Sequence, residues 1–165
     1  MTAMFAISSW GTSTRFREQI MAQSAFPLKG DIAAFLVLNQ LVYRGVARPT
    51  EIADAIDTGR SNVSKVVSRL ETHGLILRIA DPHDRRGVAL ALTTEGRAVG
   101  QRIMHATRLL QTLPDSWTDE DGQELERLVV KLARALNALP QHPLAVTSAT
   151  ADQIIRTQLE STLRD

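Results

Sequence analysis

The chain of 165 residues contains no cysteine. This absence excludes disulfide bonds, zinc sites built from thiolates and redox sensing through a thiol, and it agrees with a cytoplasmic location. No apolar run approaches the roughly 18 residues that a membrane-spanning helix needs, so we expect no membrane partner. The first residues, MTAMFAISSWGTSTRFREQ, lack the basic start and the long apolar core of a secretory signal.

Signatures of catalysis are also absent from the sequence. The histidines follow no metal-ligand spacing: His73, His83, His105 and His142. The sequence has no glycine-rich phosphate loop and no Gly-x-Ser-x-Gly elbow. We therefore predict a protein that is not an enzyme, has no catalytic residues, needs no cofactor and holds no built-in metal ion.

Amphipathic helices account for most of the predicted structure. Apolar residues at helical spacing predict a first helix over residues 4–23. Asp31 can cap a second helix, which Gly45 closes. A short third helix follows, with Thr50 as its N-cap after Pro49.

A fourth helix and a β-hairpin follow in the middle of the chain. Residues 60–73 carry one apolar stripe at helical spacing, formed by Val63, Val66, Val67 and Leu70. Gly74 stands where a helix C-terminus favours a left-handed residue. The stretches 75–80 and 88–93 partly alternate, which predicts two strands joined by the long turn DPHDRRG.

The C-terminal part is predicted to be helical as well. Thr93 or Thr94 can cap a helix that runs to about residue 113, and Thr118 with Asp121 resembles the capping box of another helix that ends before Pro140. The tail could form one more helix over 147–163, with one apolar side formed by Ile154, Ile155, Leu159 and Leu163. The fold class is therefore mainly α with a small β-hairpin.

Two short helices joined by a turn that contains Gly59, and followed by a hairpin, have the outline of a winged helix-turn-helix. The apolar stripe of the helix over 60–73 leaves a small and polar face turned outward, formed by Arg60, Ser61, Asn62, Ser64, Lys65, Ser68 and Arg69. Small polar side chains can enter a major groove and bond base edges, and Lys65 and Arg69 can reach phosphates or guanine. A merely solvated helix face, or a winged helix that docks onto another protein, gives the same pattern.

Positive charge is concentrated in this segment. Residues 60–87 contain six basic and three acidic residues, which gives a local charge of +3 in a chain whose total is +1, so the remainder sums to −2. A phosphate backbone would be attracted to a surface of this kind.

The run SNVSKVVSRLETHGLILRIADPHDRRGVALALTTEGRAV resembles the core of the multiple antibiotic resistance regulator (MarR) family. The matching features are the Ser-rich recognition helix and three motifs in order: Leu-Glu-x-x-Gly-Leu at 70–75, Asp-Pro-x-Asp-x-Arg at 81–86 and Leu-Thr-x-x-Gly at 92–96. The motif-bearing core spans about 36 residues, and looser similarity covers about 7–139. The family's peroxide sensors use cysteine, so that mechanism is excluded for this chain.

The resemblance implies a homodimer whose terminal helices interlock. On this basis residues 1–30 would be an N-terminal dimerisation helix and linker, 31–96 the winged helix-turn-helix DNA-binding domain, and 97–139 the C-terminal dimerisation helices. Residues 140–165 would be an extra tail that extends beyond the family core. Apolar stripes on these helices agree with interlocking, but packing within one chain would produce the same stripes.

The resemblance also assigns roles in the wing. Arg86 takes the family position whose side chain enters the minor groove, and Asp84 would orient it through an ion pair. A narrow minor groove has an enhanced negative potential that attracts arginine. Arg85 would meet a phosphate or solvent, and His83 would be either a solvated turn residue or a DNA contact.

A small aromatic or anionic effector is a candidate ligand, since members of the family often bind one between the dimer helices and the DNA-binding domain. Aromatic and basic side chains that could serve such a site are Trp10, Phe16, Phe35, Tyr43, Arg15 and Arg17. The alternative is that Trp10 and the phenylalanines belong to the core.

We therefore predict a homodimeric, sequence-specific regulator, in the form of a repressor, that binds an inverted-repeat operator in double-stranded DNA. Two other functions stay open from the sequence. One is a winged helix that docks onto protein without binding DNA, and the other is an effector-binding dimer that has lost DNA binding.

Overall fold

The computed structural model describes residues 2–81, 84–110 and 116–135. Its elements are α1 (Thr2–Gly11), α2 (Thr14–Gln23), α3 (Ile32–Arg44), β1 (Val46–Ala47), α4 (Pro49–Ala55), α5 (Arg60–Thr72), β2 (Ile76–Asp81), β3 (Asp84–Leu92), α6 (Thr94–Leu110) and α7 (Asp119–Ala135). The mainly helical fold class is confirmed, and the arrangement α3–α4–α5–β2–β3 is a winged helix.

The predicted helix over 4–23 is in fact two helices. The Ser13 hydroxyl donates to the carbonyl oxygen of Trp10 at 2.7 Å and accepts from the backbone N–H of Phe16 at 3.2 Å. Ser13 therefore ends α1 and caps α2, as side-chain oxygens at helix ends commonly do. The apolar period continues across the break, which is why it predicted a single helix.

The sheet has three antiparallel strands in the order β1-β3-β2, where a two-stranded hairpin was predicted. The short strand β1 pairs Val46 with Ala91 and Ala47 with Leu90. The predicted long turn DPHDRRG was also wrong, because β3 already begins at Asp84 and pairs there with Asp81. Two residues are too few to show an alternating pattern, so the sequence did not indicate β1. The first residues of β3 are charged and do not alternate with apolar residues, so its start was also not indicated.

The predicted caps agree with the structure at most helices. Asp31 caps α3, the Thr93 hydroxyl accepts from the N–H of Gly96 at 2.9 Å, and Thr118 and Asp121 form their capping box. Thr50 is not the N-cap of α4, since Arg48 takes that place and Pro49 is the first helical residue. Proline is favoured at that first position because it needs no backbone N–H there.

The core lies between the sheet and helices α2 to α6, with α3 and α5 at its centre. The predicted stripe of α5 is buried at 0–1% exposure: Val63, Val66, Val67 and Leu70. It packs in one cluster with Leu38 and Leu41 of α3 and Val99 of α6. Full burial of each such side chain contributes roughly 2 kcal/mol, so this stripe fixes which face of α5 points outward.

The segment that follows α5 meets the start of α6 at a close junction. The Thr93 hydroxyl donates to the carbonyl oxygen of Gly74 at 2.6 Å, and the Thr93 N–H donates to that of Leu75 at 3.1 Å. A Cβ added to Gly96 would stand 1.9 Å from the Leu75 carbonyl oxygen, so only glycine permits this approach. Gly74 itself has φ +66°, the left-handed conformation predicted for it.

Two helices leave apolar side chains uncovered in the described chain. Phe5, Ile7 and Trp10 of α1 are 53–76% exposed. On α7 no residue is buried, and one stripe is 40–54% exposed: Leu125, Leu128, Val129 and Leu132. The predicted helix end near 113, the residues 136–139 and the predicted tail helix over 147–163 lie outside the described residues.

Candidate nucleic-acid interface

The outward face of α5 consists of the polar residues that the sequence predicted for it. Arg60, Ser61, Asn62, Ser64, Lys65 and Arg69 are all exposed. The side-chain amide of Asn62 donates to the Thr58 hydroxyl at 3.0 Å, which fixes that amide beside the first turn of the helix. The face offers hydroxyl, amide and ammonium groups to a partner, and these groups suit base edges and phosphates.

Arg69 contacts an acid that the sequence analysis did not link to it. Its Nε donates to Oδ2 of Asp31 at 2.8 Å, and the two side chains are 44% and 22% exposed. Partial burial alone would raise the pKa of Asp31, but hydrogen bonds from Arg69 and from the N–H of Ala34, with the charge of Arg69, lower it below its ordinary value of 3.8. Arg69 is therefore already paired in the absence of DNA, and 38 residues separate it from Asp31.

The wing is formed by β2 and β3. Asp84 is exposed at the start of β3, while Arg85 and Arg86 lie within β3 and their side chains are outside what the structure describes. His83 also lies outside the described residues. The predicted pairing of Asp84 with Arg86 therefore stays a prediction.

A second acid of the same motif is buried. The side chain of Asp81 is 2% exposed and accepts a hydrogen bond from Nε of Arg48, at the start of α4. The carboxylate of Asp81 raises the pKa of the Arg48 guanidinium by hydrogen bonding and by its charge. Sequence reasoning missed this pair because 33 residues separate its members. Its only sequence signal was the first position of the Asp-Pro-x-Asp-x-Arg motif.

A further ion pair joins the wing to α5. Nε and Nη2 of Arg78, on β2, donate to the two carboxylate oxygens of Glu71 at 2.9 and 3.2 Å. Both side chains are partly exposed, so the pair contributes little to stability, but it places a guanidinium beside α5.

The residues predicted for an effector site have different surroundings. Phe35 is 3% exposed and packs edge-on against Phe26, so it is a core residue, as the alternative expected. Trp10 is 53% exposed and lies against Phe16, with 4.3 Å between ring centroids. Arg15 is exposed and Arg17 partly buried on α2, and Tyr43 is 38% exposed near the end of α3.

A cavity of about 550 Å³ lies elsewhere, between the end of α2 and the loop to α3. Its lining is largely apolar, with one acid and one base: Glu18, Met21, Ala22, Ala25, Phe26, Pro27, Lys29 and Gly30. None of the predicted effector residues lines it.

The described ranges contain no group of three or more His, Asp or Glu side chains that could hold a metal ion. No helix within these ranges is long and apolar enough to cross a bilayer.

Comparison with known proteins gives the same family as the motifs. The MarR family model matches residues 32–88. Over 104 residues the chain is 30% identical to the HTH-type transcriptional repressor MdtR of Bacillus subtilis, a match that covers 62% of this chain and 67% of MdtR. The chain is also 32% identical over 103 residues to the HTH-type transcriptional regulator YkoM of Bacillus subtilis, a match that covers 61% of this chain and 64% of YkoM.

Solved structures show the same fold. A MarR family protein from Bacillus stearothermophilus aligns with a TM-score of 0.62 at 23% identity, over 82% of this chain and 91% of that one. Wild-type MarR from Escherichia coli aligns with a TM-score of 0.53 at 25% identity, over 72% and 88%. The chain belongs to the MarR family of winged helix-turn-helix transcriptional regulators.

Proposed function

We propose that this protein is a homodimeric repressor that binds an inverted-repeat operator in double-stranded DNA. The observation that carries the proposal is the exposed polar face of α5, whose opposite stripe is fully buried against α3. This packing presents Ser61, Asn62, Ser64 and Lys65 on a rigid element, as major-groove recognition requires. The relative MdtR is named a transcriptional repressor, which supports the direction of the regulation.

The dimer part of the proposal rests on exposed apolar surface. Large apolar side chains are exposed together on two helices: Phe5 and Ile7 on α1, and the stripe of α7 described above. Clustered exposure of this kind is typical of an interaction surface, whereas single exposed apolar residues are common on any protein. A second copy would cover both helices, in agreement with dimerisation segments over 1–30 and 97–139 that flank the DNA-binding domain at 31–96. The tail at 140–165 would extend the C-terminal segment. Half-site centres should then lie about 34–36 Å apart, one turn of the duplex.

Release by a small aromatic or anionic effector is the finer part of the proposal. The exposed Trp10 beside Phe16, with Arg15 and Arg17 on the following helix, offers a ring face and positive charge close to the α1–α2 break. Benzoate is a suitable probe because it combines a ring with a carboxylate. Loss of DNA binding on adding benzoate to the wild type, but not to a Trp10→Leu variant, would support this site.

A gel-shift with DNA from the region upstream of the protein's own gene tests the main proposal. Binding that resists excess non-specific competitor supports a sequence-specific regulator. Absence of binding even at low salt contradicts it and favours a winged helix used for protein docking. An effector-binding dimer that has lost DNA binding would bind benzoate but not the DNA.

A further inference from the structure

Asp81 is a buried acid at the end of an edge strand, where charged side chains are usually solvated. Its side chain is 2% exposed, and Nε of Arg48 donates to its Oδ2. An ionised carboxylate removed from water needs a partner, because its hydration is lost. Arg48 is 43% exposed, so the pair is buried on the side of Asp81 and open on the side of Arg48.

Gly87 leaves room for the buried side chain of Asp81. A Cβ added to Gly87 would stand 3.0 Å from Cβ of Asp81 and 3.1 Å from its Oδ2. The pairing of β2 with β3 is also irregular between Ala80 and Asp81. The absence of a side chain at Gly87 thus lets β3 pass directly over the carboxylate, which can then point toward Arg48.

Arg48 is itself fixed to the body of the domain. Its backbone N–H donates to Oε2 of Glu51 at 2.8 Å, and its carbonyl oxygen accepts from the N–H of Ile52 at 3.1 Å. It directly follows β1, whose Ala47 pairs with Leu90 of β3. The guanidinium therefore projects from a rigid corner between β1 and α4, and changes to the side chain of Arg48 leave the Glu51 cap in place.

We propose that the Arg48–Asp81 pair positions the wing for DNA, with Arg48 acting through Asp81 and not through a contact of its own with DNA. The pair joins the last residue of β2 to the start of α4, and Gly87 supplies the space for it. It thereby sets where β3 begins, and so the placement of the positions assigned to the minor groove. The consequence for DNA rests on the proposed function, whereas the consequence for the wing does not.

A direct phosphate contact by Arg48 would predict a different outcome. In that case Asp81→Asn would release the guanidinium and strengthen DNA binding, while Arg48→Ala would weaken binding and lower the salt slope. Positioning predicts that both variants weaken binding, that neither changes the salt slope, and that the double variant is no weaker than the weaker single variant. Such non-additivity is expected when two residues act as one unit.

Hydrogen exchange measured by mass spectrometry on the DNA-free protein tests the wing directly. Amides of 84–92 should exchange about tenfold faster in Asp81→Asn and Arg48→Ala than in the wild type, because the wing opens more readily without the Arg48–Asp81 pair. Arg48→Lys retains the charge but not the guanidinium, and should give an intermediate rate. Arg127→Ala on α7 removes the same charge from an exposed pair and should leave these amides unchanged.

Operator affinity and its salt dependence are then measured for the same variants. Unchanged exchange of 84–92 in Asp81→Asn and Arg48→Lys overturns the inference whether or not the protein binds DNA. Failure of the wild type to bind DNA contradicts the proposed function, and the exchange data still decide whether the pair positions the wing. If Arg48→Ala does not fold by circular dichroism, the two conservative variants carry the test.

Discussion

Nε of Arg69, on the recognition helix α5, donates a hydrogen bond to Oδ2 of Asp31 at 2.8 Å, while Oδ1 of the same carboxylate accepts from the N–H of Ala34 at 3.0 Å. One acid therefore caps α3 and also fixes the position of an arginine on the proposed DNA-binding face. The orientation of α5 relative to α3 thus depends on this pair as well as on the buried stripe beneath it.

Replacing Asp31 separates the two roles of this acid. Asparagine caps a helix about as well as aspartate, so Asp31→Asn should lose only the charged pair, roughly 0.5 kcal/mol because Arg69 is partly exposed. Asp31→Ala should lose about 1 kcal/mol more, since the cap is lost as well. Urea unfolding at pH 7 measures both differences, and equal stabilities of the two variants would contradict the capping role.

The contribution of Asp31 should depend on pH in one direction. Its folded-state pKa lies below the ordinary value of 3.8, so the folded state favours the ionised form. The stabilisation is therefore fully present above about pH 5 and is lost as the pH falls through the lowered pKa. The difference in unfolding free energy between the wild type and Asp31→Asn should shrink steadily below pH 4, and a difference that grew on acidification would contradict this assignment.

Gly96 should tolerate no side chain. A Cβ there would overlap the Leu75 carbonyl oxygen at 1.9 Å, and backbone atoms cannot move aside cheaply. We expect Gly96→Ala to lower the unfolding free energy by about 3 kcal/mol or to prevent folding, as overpacking at a tight junction does. Gly11→Ala is the control, because nothing lies within 4 Å of the added carbon and its φ is not positive. That variant should be unchanged or slightly more stable, and a stable Gly96→Ala protein would show that the junction is looser than described.

Sequence patterns predicted correctly those features that depend only on residues close together in the chain. The stripe of α5, the cap at Asp31 and the left-handed Gly74 depend on residues within one or two helical turns, so their spacing is visible in the sequence. The pairs Arg69–Asp31 and Arg48–Asp81 join residues 38 and 33 positions apart, and only the fold brings them together. The same reason explains why Phe35 in the core and Trp10 at the surface could not be distinguished, since both are aromatic residues on amphipathic helices.

A charge on the apolar stripe of α7 should weaken the proposed dimer. Val129 is 54% exposed in the single chain and would be covered by a second copy, so Val129→Lys should bury an unpaired ammonium at the interface. Sedimentation should show a dimer for the wild type and a shift of at least about tenfold in the dissociation constant for the variant. Gln123→Lys adds the same charge on the opposite, polar side of α7 and should remain dimeric. Equal behaviour of the two variants would remove α7 from the interface.

Lys65 and Arg86 should contribute to DNA affinity through different grooves. Lys65 is exposed on α5, and Arg86 lies within β3 at the position that we propose enters the minor groove. Lys65→Ala and Arg86→Ala should each weaken operator binding, and each lost phosphate contact should lower the magnitude of the slope of log K against log salt by about 1.

Arg127→Ala on α7 controls for the loss of one positive charge and should preserve both affinity and slope. An arginine in a narrow minor groove favours A·T-rich sequence, so Arg86→Ala should also lose selectivity for A·T-rich flanks. Lys65→Ala removes a phosphate contact and should weaken binding to all sequences alike. If both variants match Arg127→Ala in affinity and in slope, this face of the molecule does not contact DNA.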